Sequence, residues 1–254
     1  MTASSKRRVL VTGGGRGLGA AIVAALAAAG HDVTFTFRAS ADAATAAAKQ
    51  LAAAYPQQTF AALRVDLADR EAVAAFTPTL GNDAPYSGFV HNAGHTYDAL
   101  AMMMDQGKAE VAMQVNYWAF TRIAGALARA MMRAKDGRIA VIGSVTALKA
   151  NQGNAAYAAS KAALLGYART LAIEVARAGV TVNYVAPGFI DTEMMAPYAA
   201  YRERMESQIP ARRFARPEEI AALVAFLMSP GASYLTGAVL PIDGGLSAAI
   251  GVHR

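Results

Sequence analysis

The stretch Val9-Leu-Val-Thr12-Gly13-Gly-Gly-Arg16-Gly17-Leu18-Gly19 decides the fold class, because an apolar strand pattern runs directly into glycines and then into a helical pattern. The strand pattern covers 9–12, the helical pattern covers about 17–29, and Gly30 follows as a helix stop. Glycines at such a junction allow a tight turn and let the backbone approach a pyrophosphate, which the positive end of the helix stabilises. The glycine spacing is one residue longer than that of the strict G-x-G-x-x-G motif. The evidence for nucleotide binding is therefore mainly the location of the glycines directly after a strand. The stretch predicts a nucleotide-binding turn at the start of an α/β fold.

Short apolar runs alternate with longer helical patterns along the rest of the chain. Strands are predicted at 33–37, 60–65, 88–91, 138–142, 180–185 and 239–242. Helices are predicted at about 41–55, between 65 and 88, and at 108–134, 155–178, 198–208 and 217–228. This βαβ alternation predicts a single-domain Rossmann fold of the α/β class, a doubly wound parallel sheet of about seven strands with helices on both faces.

The sequence shows no repeat, low-complexity tract or linker that would divide it, so residues 1–254 are predicted to form one domain. Within this domain, the cofactor-binding part is expected mainly in 7–150, and the catalytic and substrate-binding part mainly in 138–254. The stretch 187–210 has weak strand signals and is a candidate lid over an active site.

The composition excludes several classes of protein. Apolar residues make up 55% of the chain and charged residues 17%, which provides for a large core and is unlike a disordered chain. The net charge is +6, but the basic residues cluster only at Lys6-Arg7-Arg8 and Arg212-Arg213, so no nucleic-acid partner is expected. The absence of cysteine excludes disulfides, thiol nucleophiles and cysteine metal sites. Without a signal-peptide pattern or a membrane-spanning run, a cytoplasmic protein with no membrane partner is expected.

Two arginines near the glycine turn indicate which dinucleotide the turn would bind. Folds that bind NAD usually place an Asp or Glu at the end of the second strand, where it bonds the ribose 2′-hydroxyl. Arg38 holds that position here, and Arg16 lies inside the turn. Two guanidiniums suit a 2′-phosphate through charge-assisted hydrogen bonds, which favours NADPH/NADP⁺. Both are also compatible with ordinary surface arginines.

Tyr157 and Lys161 have the spacing of a proton-donating pair. Residues at i and i+4 project from one face of a helix, and an adjacent ammonium is expected to lower the pKa of a phenol. Such a tyrosine can give its proton to a carbonyl oxygen as a hydride arrives at the carbon. Ser144 follows a strand, where its hydroxyl can polarise the same carbonyl. Alone, this pair is also typical of a solvated helix face, and the serine of a turn or helix cap.

Together these motifs resemble the short-chain dehydrogenase/reductase family over essentially the whole chain. The resemblance implies a catalytic set of four residues: Asn116, Ser144, Tyr157 and Lys161. It also implies a cofactor-binding set. The cofactor-binding residues would be Thr12, Gly13, Arg16, Gly17, Leu18, Gly19, Arg38, Asp66, Leu67, Asn92, Ala93, Gly94, Tyr157, Lys161, Pro187, Gly188, Ile190 and Thr192.

Within that family, the stretch Pro187-Gly-Phe-Ile-Asp-Thr-Glu-Met194 is similar to the 3-oxoacyl-acyl-carrier-protein reductases. The resemblance implies an enzyme that uses NADPH to reduce a 3-oxoacyl thioester, carried on acyl carrier protein, in fatty-acid or polyketide-type biosynthesis. Two alternatives stay open. One is a reductase of acetoacetyl-CoA or another small ketone or alcohol, and the other is a non-catalytic NADP(H)-binding protein.

The resemblance also suggests partners. It implies a homotetramer or homodimer, with an interface at the long helices around Asn116 and Lys161. Basic residues near the active-site mouth would hold an acidic carrier protein, and the candidates are Arg129, Arg133, Lys135 and Arg177. The same four residues are compatible with ordinary charges on a helix surface.

Two further groups have alternative interpretations. His91 and His95 have a metal-like spacing without a third ligand, so no metal is expected. His91 stands where the family more usually has asparagine, which leaves its bonding open. The runs Met102-Met-Met104 and Met194-Met195 are candidates to line an apolar acyl pocket, and for the first run packing into the core is the alternative.

Overall fold

A seven-stranded parallel sheet forms the centre of the protein, in the order β3-β2-β1-β4-β5-β6-β7. The computed structural model describes residues 6–81 and 84–249. The strands are β1 Arg8–Thr12, β2 Asp32–Phe37, β3 Phe60–Arg64, β4 Gly88–His91, β5 Gly137–Ile142, β6 Val180–Pro187 and β7 Val239–Ile242. This arrangement confirms the predicted Rossmann-type fold.

Helices cover both faces of the sheet. They are α1 Gly17–Ala28, α2 Ala41–Ala54, α3 Arg70–Thr79, α4 Gln106–Met113, α5 Ala119–Ala134, α6 Ala155–Val175, α7 Arg202–Gln208 and α8 Pro217–Met228. Side chains of β1 alternate between two cores: Val9 and Val11 pack on the α1 and α8 side, and Leu10 packs on the α5 and α6 side. Because both faces are covered, the central strands are apolar in nearly every position, as parallel sheets require.

Two helical segments differ from the sequence-based expectation. The helix predicted at 108–134 is interrupted by a π-helical turn at Gln114–Trp118, where the hydrogen-bond ladder widens by one residue. The helix predicted at 198–208 is α-helical only from Arg202, since Glu193–Tyr201 forms a 3₁₀ helix that contains Pro197. Proline removes a backbone N–H and therefore disfavours a regular α-helix at this position.

The strand order reverses between β1 and β4, and ligands of such folds bind in the crevice at that switch point. The glycine turn after β1, the loop after β4 and Ser144 after β5 all lie at the carboxyl ends of these strands. Among the described residues, no helix is long and apolar enough to cross a membrane. Within the same residues, His, Cys, Asp and Glu side chains form no group of three or more that could hold a metal ion.

Candidate active site

The glycine turn leaves no room for side chains. Gly13 has a φ of 69°, in the left-handed region that favours glycine. A Cβ at Gly19 would lie 1.9 Å from the carbonyl oxygen of Gly13, so only glycine fits there. The side-chain amide of Asn92 donates to the carbonyls of Thr12 and Gly13, at 3.2 and 3.0 Å. The side-chain amide of Asn92 therefore stabilises the conformation of the turn.

The segment after β6 lies against this turn. A Cβ at Gly17 would be 3.6 Å from the side chain of Thr192. Ile190 pairs with Ala215 in an isolated bridge, which anchors the segment. The structure thus brings the predicted cofactor residues of the turn and of 187–192 to one side of the crevice.

Three arginines lie near the carboxyl ends of β1 to β3. Arg16 is exposed and forms an ion pair with Glu193 at 3.2 Å. Arg38 is exposed just beyond β2, and the Nε of Arg64 donates to its carbonyl oxygen at 3.3 Å. Arg64 was not predicted. Its signal is its place at the end of β3, where the strand register sets it beside Phe37.

Asp66 and Leu67, predicted near the adenine, differ in their placement. The carboxylate of Asp66 accepts the backbone N–H of Ala68 at 3.0 Å and is exposed. Leu67 is only 5% exposed and packs into the core, so its side chain is a structural element of the fold.

Lys161 is buried on α6 and donates from Nζ to the carbonyl oxygen of Ile142 at 2.8 Å. Burial lowers its pKa to about 8. Its Nζ lies 5.7 Å from the ring centre of Tyr157, and a Cβ at Gly94 would be 3.6 Å from the same Nζ. The ammonium therefore lies beside the crevice, where the loop after β4 passes over it.

The pKa of Tyr157 differs from the expectation. Burial raises it to about 12, a hydrogen bond with the side chain of Ser144 lowers it, and the charge of Asp98 raises it. The prediction that the pKa of Tyr157 lies below its usual value is wrong, because desolvation of the buried phenol is the largest influence on that pKa. Tyr157 consequently keeps its proton at physiological pH.

Ser144 has a hydroxyl that acts as a donor towards Tyr157. Its Oγ accepts the backbone N–H and the hydroxyl of Thr146, at 3.2 and 2.9 Å. With both lone pairs used, the Ser144 proton can only be donated. Thr146 was not singled out in the sequence, although its place two residues after a serine at a helix cap is a recognisable turn signal.

Tyr184 in β6 is buried and contacts the backbone of both Ser144 and Lys161. The sequence analysis did not predict this residue. Its hydroxyl accepts the backbone N–H of Ser144 and donates to the carbonyl oxygen of Lys161, both at 3.1 Å. A Cβ at Gly143 would lie 1.8 Å from the Cζ of this ring. Glycine at 143 thus allows a tyrosine to join the strand that carries Ser144 to the helix that carries Lys161.

We expect Tyr184→Phe to lower the free energy of unfolding by about 1–3 kcal/mol, because it leaves the buried N–H of Ser144 without a partner. Denaturant unfolding at an unchanged m-value measures this loss. The matched control is Tyr86→Phe, because Tyr86 is also buried and its hydroxyl forms no hydrogen bond to a described residue. Equal stability of the two variants would contradict the bracing role of Tyr184.

Asn116 lies in the π-helical turn, fully buried, and is bonded on every side. Its side-chain oxygen accepts the N–H of His95 at 2.8 Å, and its Nδ2 donates to the His95 carbonyl and to Ser160 Oγ, at 3.0 and 2.8 Å. Ser160 in turn donates to the carbonyl of Tyr157 at 2.7 Å. The amide therefore connects the loop after β4 to the helix that carries Tyr157 and Lys161.

The crevice mouth is formed by a loop, a helix start and the predicted lid. Asp98 accepts hydrogen bonds from Tyr198 of the lid and from Asn154 before α6. Met195 lines a cavity of about 140 Å³ together with Thr192 and other lid residues. Met102 and Met103 are 91% and 72% exposed, which excludes the core-packing alternative for them.

Two of the four predicted carrier-docking residues are not at this mouth. Arg129, Arg133, Lys135 and Arg177 are exposed. Lys135 precedes β5 and Arg177 precedes β6, so both lie at the amino ends of strands, opposite to Ser144. The expectation that these two residues flank the active-site mouth of their own subunit is wrong, because helices of a βαβ fold end at the far edge of the sheet.

Comparison with known proteins gives consistent relatives. Residues 13–247 match the family model described as Enoyl-(Acyl carrier protein) reductase. The 3-oxoacyl-[acyl-carrier-protein] reductase MabA of Mycobacterium tuberculosis is 42% identical over 245 residues, which cover 94% of this chain and 92% of MabA. The corresponding reductase FabG of Escherichia coli is 38% identical and covers 93% of this chain and 96% of FabG.

Solved structures agree with the fold. A short-chain dehydrogenase/reductase of Serratia marcescens superposes with a TM-score of 0.87 at 34% identity, covering 95% of this chain and 98% of that one. A putative NAD(P)-dependent gluconate 5-dehydrogenase of Beutenbergia cavernae with bound NADP gives 0.90 at 36% identity, covering 96% and 97%. The chain belongs to the short-chain dehydrogenase/reductase family and is an oxidoreductase that acts on a CH–OH or C=O group.

Proposed function

We propose that the protein reduces a 3-oxoacyl thioester, carried on acyl carrier protein, to the 3-hydroxyacyl thioester with NADPH, in fatty-acid or polyketide-type biosynthesis. The observation that carries this proposal is the Ser144–Tyr157 pair, in which a protonated tyrosine lies in hydrogen-bond contact with a serine whose hydroxyl acts as a donor. Relatives that are named as 3-oxoacyl-[acyl-carrier-protein] reductases support the substrate class.

Three of the four catalytic residues would act directly on the ketone or on the proton that it receives. The bound nicotinamide would supply the hydride to the ketone carbon. The Ser144 hydroxyl donates a hydrogen bond to the ketone oxygen and polarises the carbonyl. Tyr157, which is neutral at physiological pH, donates its proton to that oxygen. The ammonium of Lys161 stabilises the phenolate that remains, since it lies 5.7 Å from the ring centre.

The residues fit a nicotinamide dinucleotide with a 2′-phosphate. The turn around Gly13 and Gly19 excludes side chains and opens at the N-terminus of α1, which suits a pyrophosphate. The exposed guanidiniums of Arg16 and Arg38 suit a 2′-phosphate, and Arg64 contacts the backbone of Arg38. An acidic residue for a free ribose 2′-hydroxyl does not occupy the Arg38 position. These features favour NADPH over NADH.

We expect kcat/KM for NADPH to fall above about pH 8, by about tenfold per pH unit, because Lys161 loses its proton there. Tyr157, with a pKa of about 12, stays protonated over the same range and adds no second fall. The pH profile of initial rates measures this. Lys161→Arg is the control, because a guanidinium stays charged and should move the fall to higher pH. A flat wild-type profile to about pH 10 would contradict the role of Lys161.

The substrate is tested by comparing kcat/KM on acetoacetyl-acyl carrier protein, acetoacetyl-CoA and free ketones. The carrier-linked thioester is expected to be the best substrate. A higher value for acetoacetyl-CoA or for a free ketone would favour the alternative of a small-ketone reductase. Tight NADPH binding without turnover of any ketone would favour a non-catalytic NADP(H)-binding protein.

We also propose that the protein assembles as a homotetramer or homodimer. Exposed apolar side chains on helices near the site support this, among them Trp118 and Ile173, which are 46% and 81% exposed. Light scattering of the purified protein measures the mass directly. A monomer at micromolar concentration would contradict the proposal, and Ile173→Glu should dissociate the assembly if α6 forms the interface.

A further inference from the structure

His91 ends β4 and is completely buried between the cofactor turn and the catalytic helices. Its Nδ1 lies 3.0 Å from the hydroxyl of Thr12, and its Nε2 lies 3.2 Å from the carbonyl oxygen of Asn116. The ring is packed beside Phe120 and Phe89, with centroid distances of 5.1 and 6.2 Å. One side chain therefore spans two parts of the site.

The neighbouring bonds determine which nitrogen carries the hydrogen. Thr12 Oγ1 accepts the backbone N–H groups of Asn92 and Ala93, at 3.1 and 3.2 Å. Its own hydrogen is then left for donation to Nδ1 of His91. The Asn116 carbonyl can only accept, so Nε2 must carry the ring hydrogen. Burial and the charge of Lys161 lower the pKa of His91 to about 3, which keeps this ring neutral in ordinary assays.

Asn116 connects His91 to the helix that carries Tyr157, through its backbone carbonyl on one side and its side-chain amide on the other. The side chain of Asn116 holds His95 on one side and Ser160 on the other, and Ser160 bonds the carbonyl of Tyr157. A shift of the Asn116 backbone would therefore displace the hydrogen bond from Asn116 Nδ2 to Ser160, which lies on the same helix as Tyr157. Asn116 lies in the π-helical turn, where the hydrogen-bond ladder differs from that of a regular α-helix, and its carbonyl oxygen also contacts Nε2 of His91.

We propose that His91 is a positioning residue that joins the cofactor turn at Thr12 to the Asn116–Ser160–Tyr157 connection, through a neutral ring with hydrogen on Nε2. The role needs an acceptor towards Thr12 and a donor towards Asn116 at a fixed separation, which the imidazole ring supplies. The inference rests on the proposed function for its kinetic part, whereas its tautomer and cofactor-binding parts do not depend on turnover.

Three variants separate the two contacts. His91→Phe keeps the ring shape and removes both bonds. An asparagine amide lies near the Nδ1 position and can accept from Thr12, whereas a glutamine amide reaches the Nε2 position and can donate to Asn116. We expect kcat to fall about tenfold or more in His91→Phe and His91→Asn, and to recover in His91→Gln. The NADPH Kd should rise several-fold in His91→Phe and His91→Gln but stay near wild type in His91→Asn.

The ring itself is observed by ¹⁵N NMR of histidine-labelled wild-type protein without cofactor. The chain has four histidines, and the signal that disappears in His91→Phe identifies the one in question. We expect a neutral ring with hydrogen on Nε2 at about pH 5 and at about pH 7. Hydrogen on Nδ1, or a charged ring at pH 5, would overturn the proposal.

The kinetic outcomes are equally decisive. A folded His91→Phe variant with wild-type kcat and wild-type NADPH Kd would overturn the proposal, as would recovery of kcat by asparagine and not by glutamine. A wild-type protein that turns over no ketone contradicts the proposed function instead. The NMR result and the order of NADPH affinities then still decide the role of His91.

Discussion

Tyr157→Phe is expected to lower kcat for NADPH-dependent ketone reduction by roughly 10²–10⁴-fold. The phenylalanine keeps the ring and removes the proton that Tyr157 would transfer to the ketone oxygen, while the hydroxyl of Ser144 remains. Because the lost interaction acts on the transferring proton, NADPH binding should change by less than about threefold. Initial rates and a fluorescence titration with NADPH measure the two effects.

Tyr55→Phe is the control for this change and should leave kcat unchanged, because Tyr55 lies between the end of α2 and the start of β3, at the amino end of that strand. Tyr157→Phe turnover within about tenfold of wild type would contradict the role of the phenol as the proton donor. An equal loss of NADPH affinity would instead show that the phenol serves mainly to bind the cofactor.

The second large effect is expected on cofactor choice. Replacing both Arg16 and Arg38 by alanine should raise the NADPH Kd by roughly 10²–10⁴-fold, since each charge-assisted bond to a phosphate contributes about 1.5–3 kcal/mol. NADH lacks the 2′-phosphate, so its Kd should change by less than about threefold. Titration calorimetry with both dinucleotides measures the ratio.

Arg122→Ala removes one exposed guanidinium from α5 and is a control for a general loss of positive charge. Its NADPH Kd should remain at the wild-type value. Equal weakening of NADPH and NADH in the double variant would contradict a 2′-phosphate contact, and would indicate that the arginines act on the shared pyrophosphate or on the turn itself.

Local sequence patterns were sufficient to predict the fold, and they also place the glycine turn and the Tyr157–Lys161 pair within it. The glycine turn, the apolar runs and the spacing of Tyr157 and Lys161 are each contained in one strand, turn or helix. Their structural meaning therefore follows from periodicity and from glycine stereochemistry alone. Ser144 was found for the same reason, because it directly follows a buried strand.

Residues that depend on register were not predictable in this way. Tyr184 reaches Ser144 only because β6 lies beside β5 in a particular register, and Arg64 reaches Arg38 only because β3 lies beside β2. The pKa of Tyr157 was predicted in the wrong direction because the i,i+4 spacing shows that Lys161 is near but does not show the desolvation of the phenol. Desolvation depends on the whole packed site and not on one helix.

The fit between Gly143 and Tyr184 restricts the order in which this site can evolve. With only 1.8 Å between a Cβ at 143 and the ring, alanine at that position is incompatible with the present partner. A lineage that gains a side chain at 143 has to shorten residue 184 first, and in doing so it gives up the hydroxyl beneath Ser144 and Lys161. The two positions are thus epistatic: the same alanine is deleterious beside tyrosine and tolerated beside a small residue.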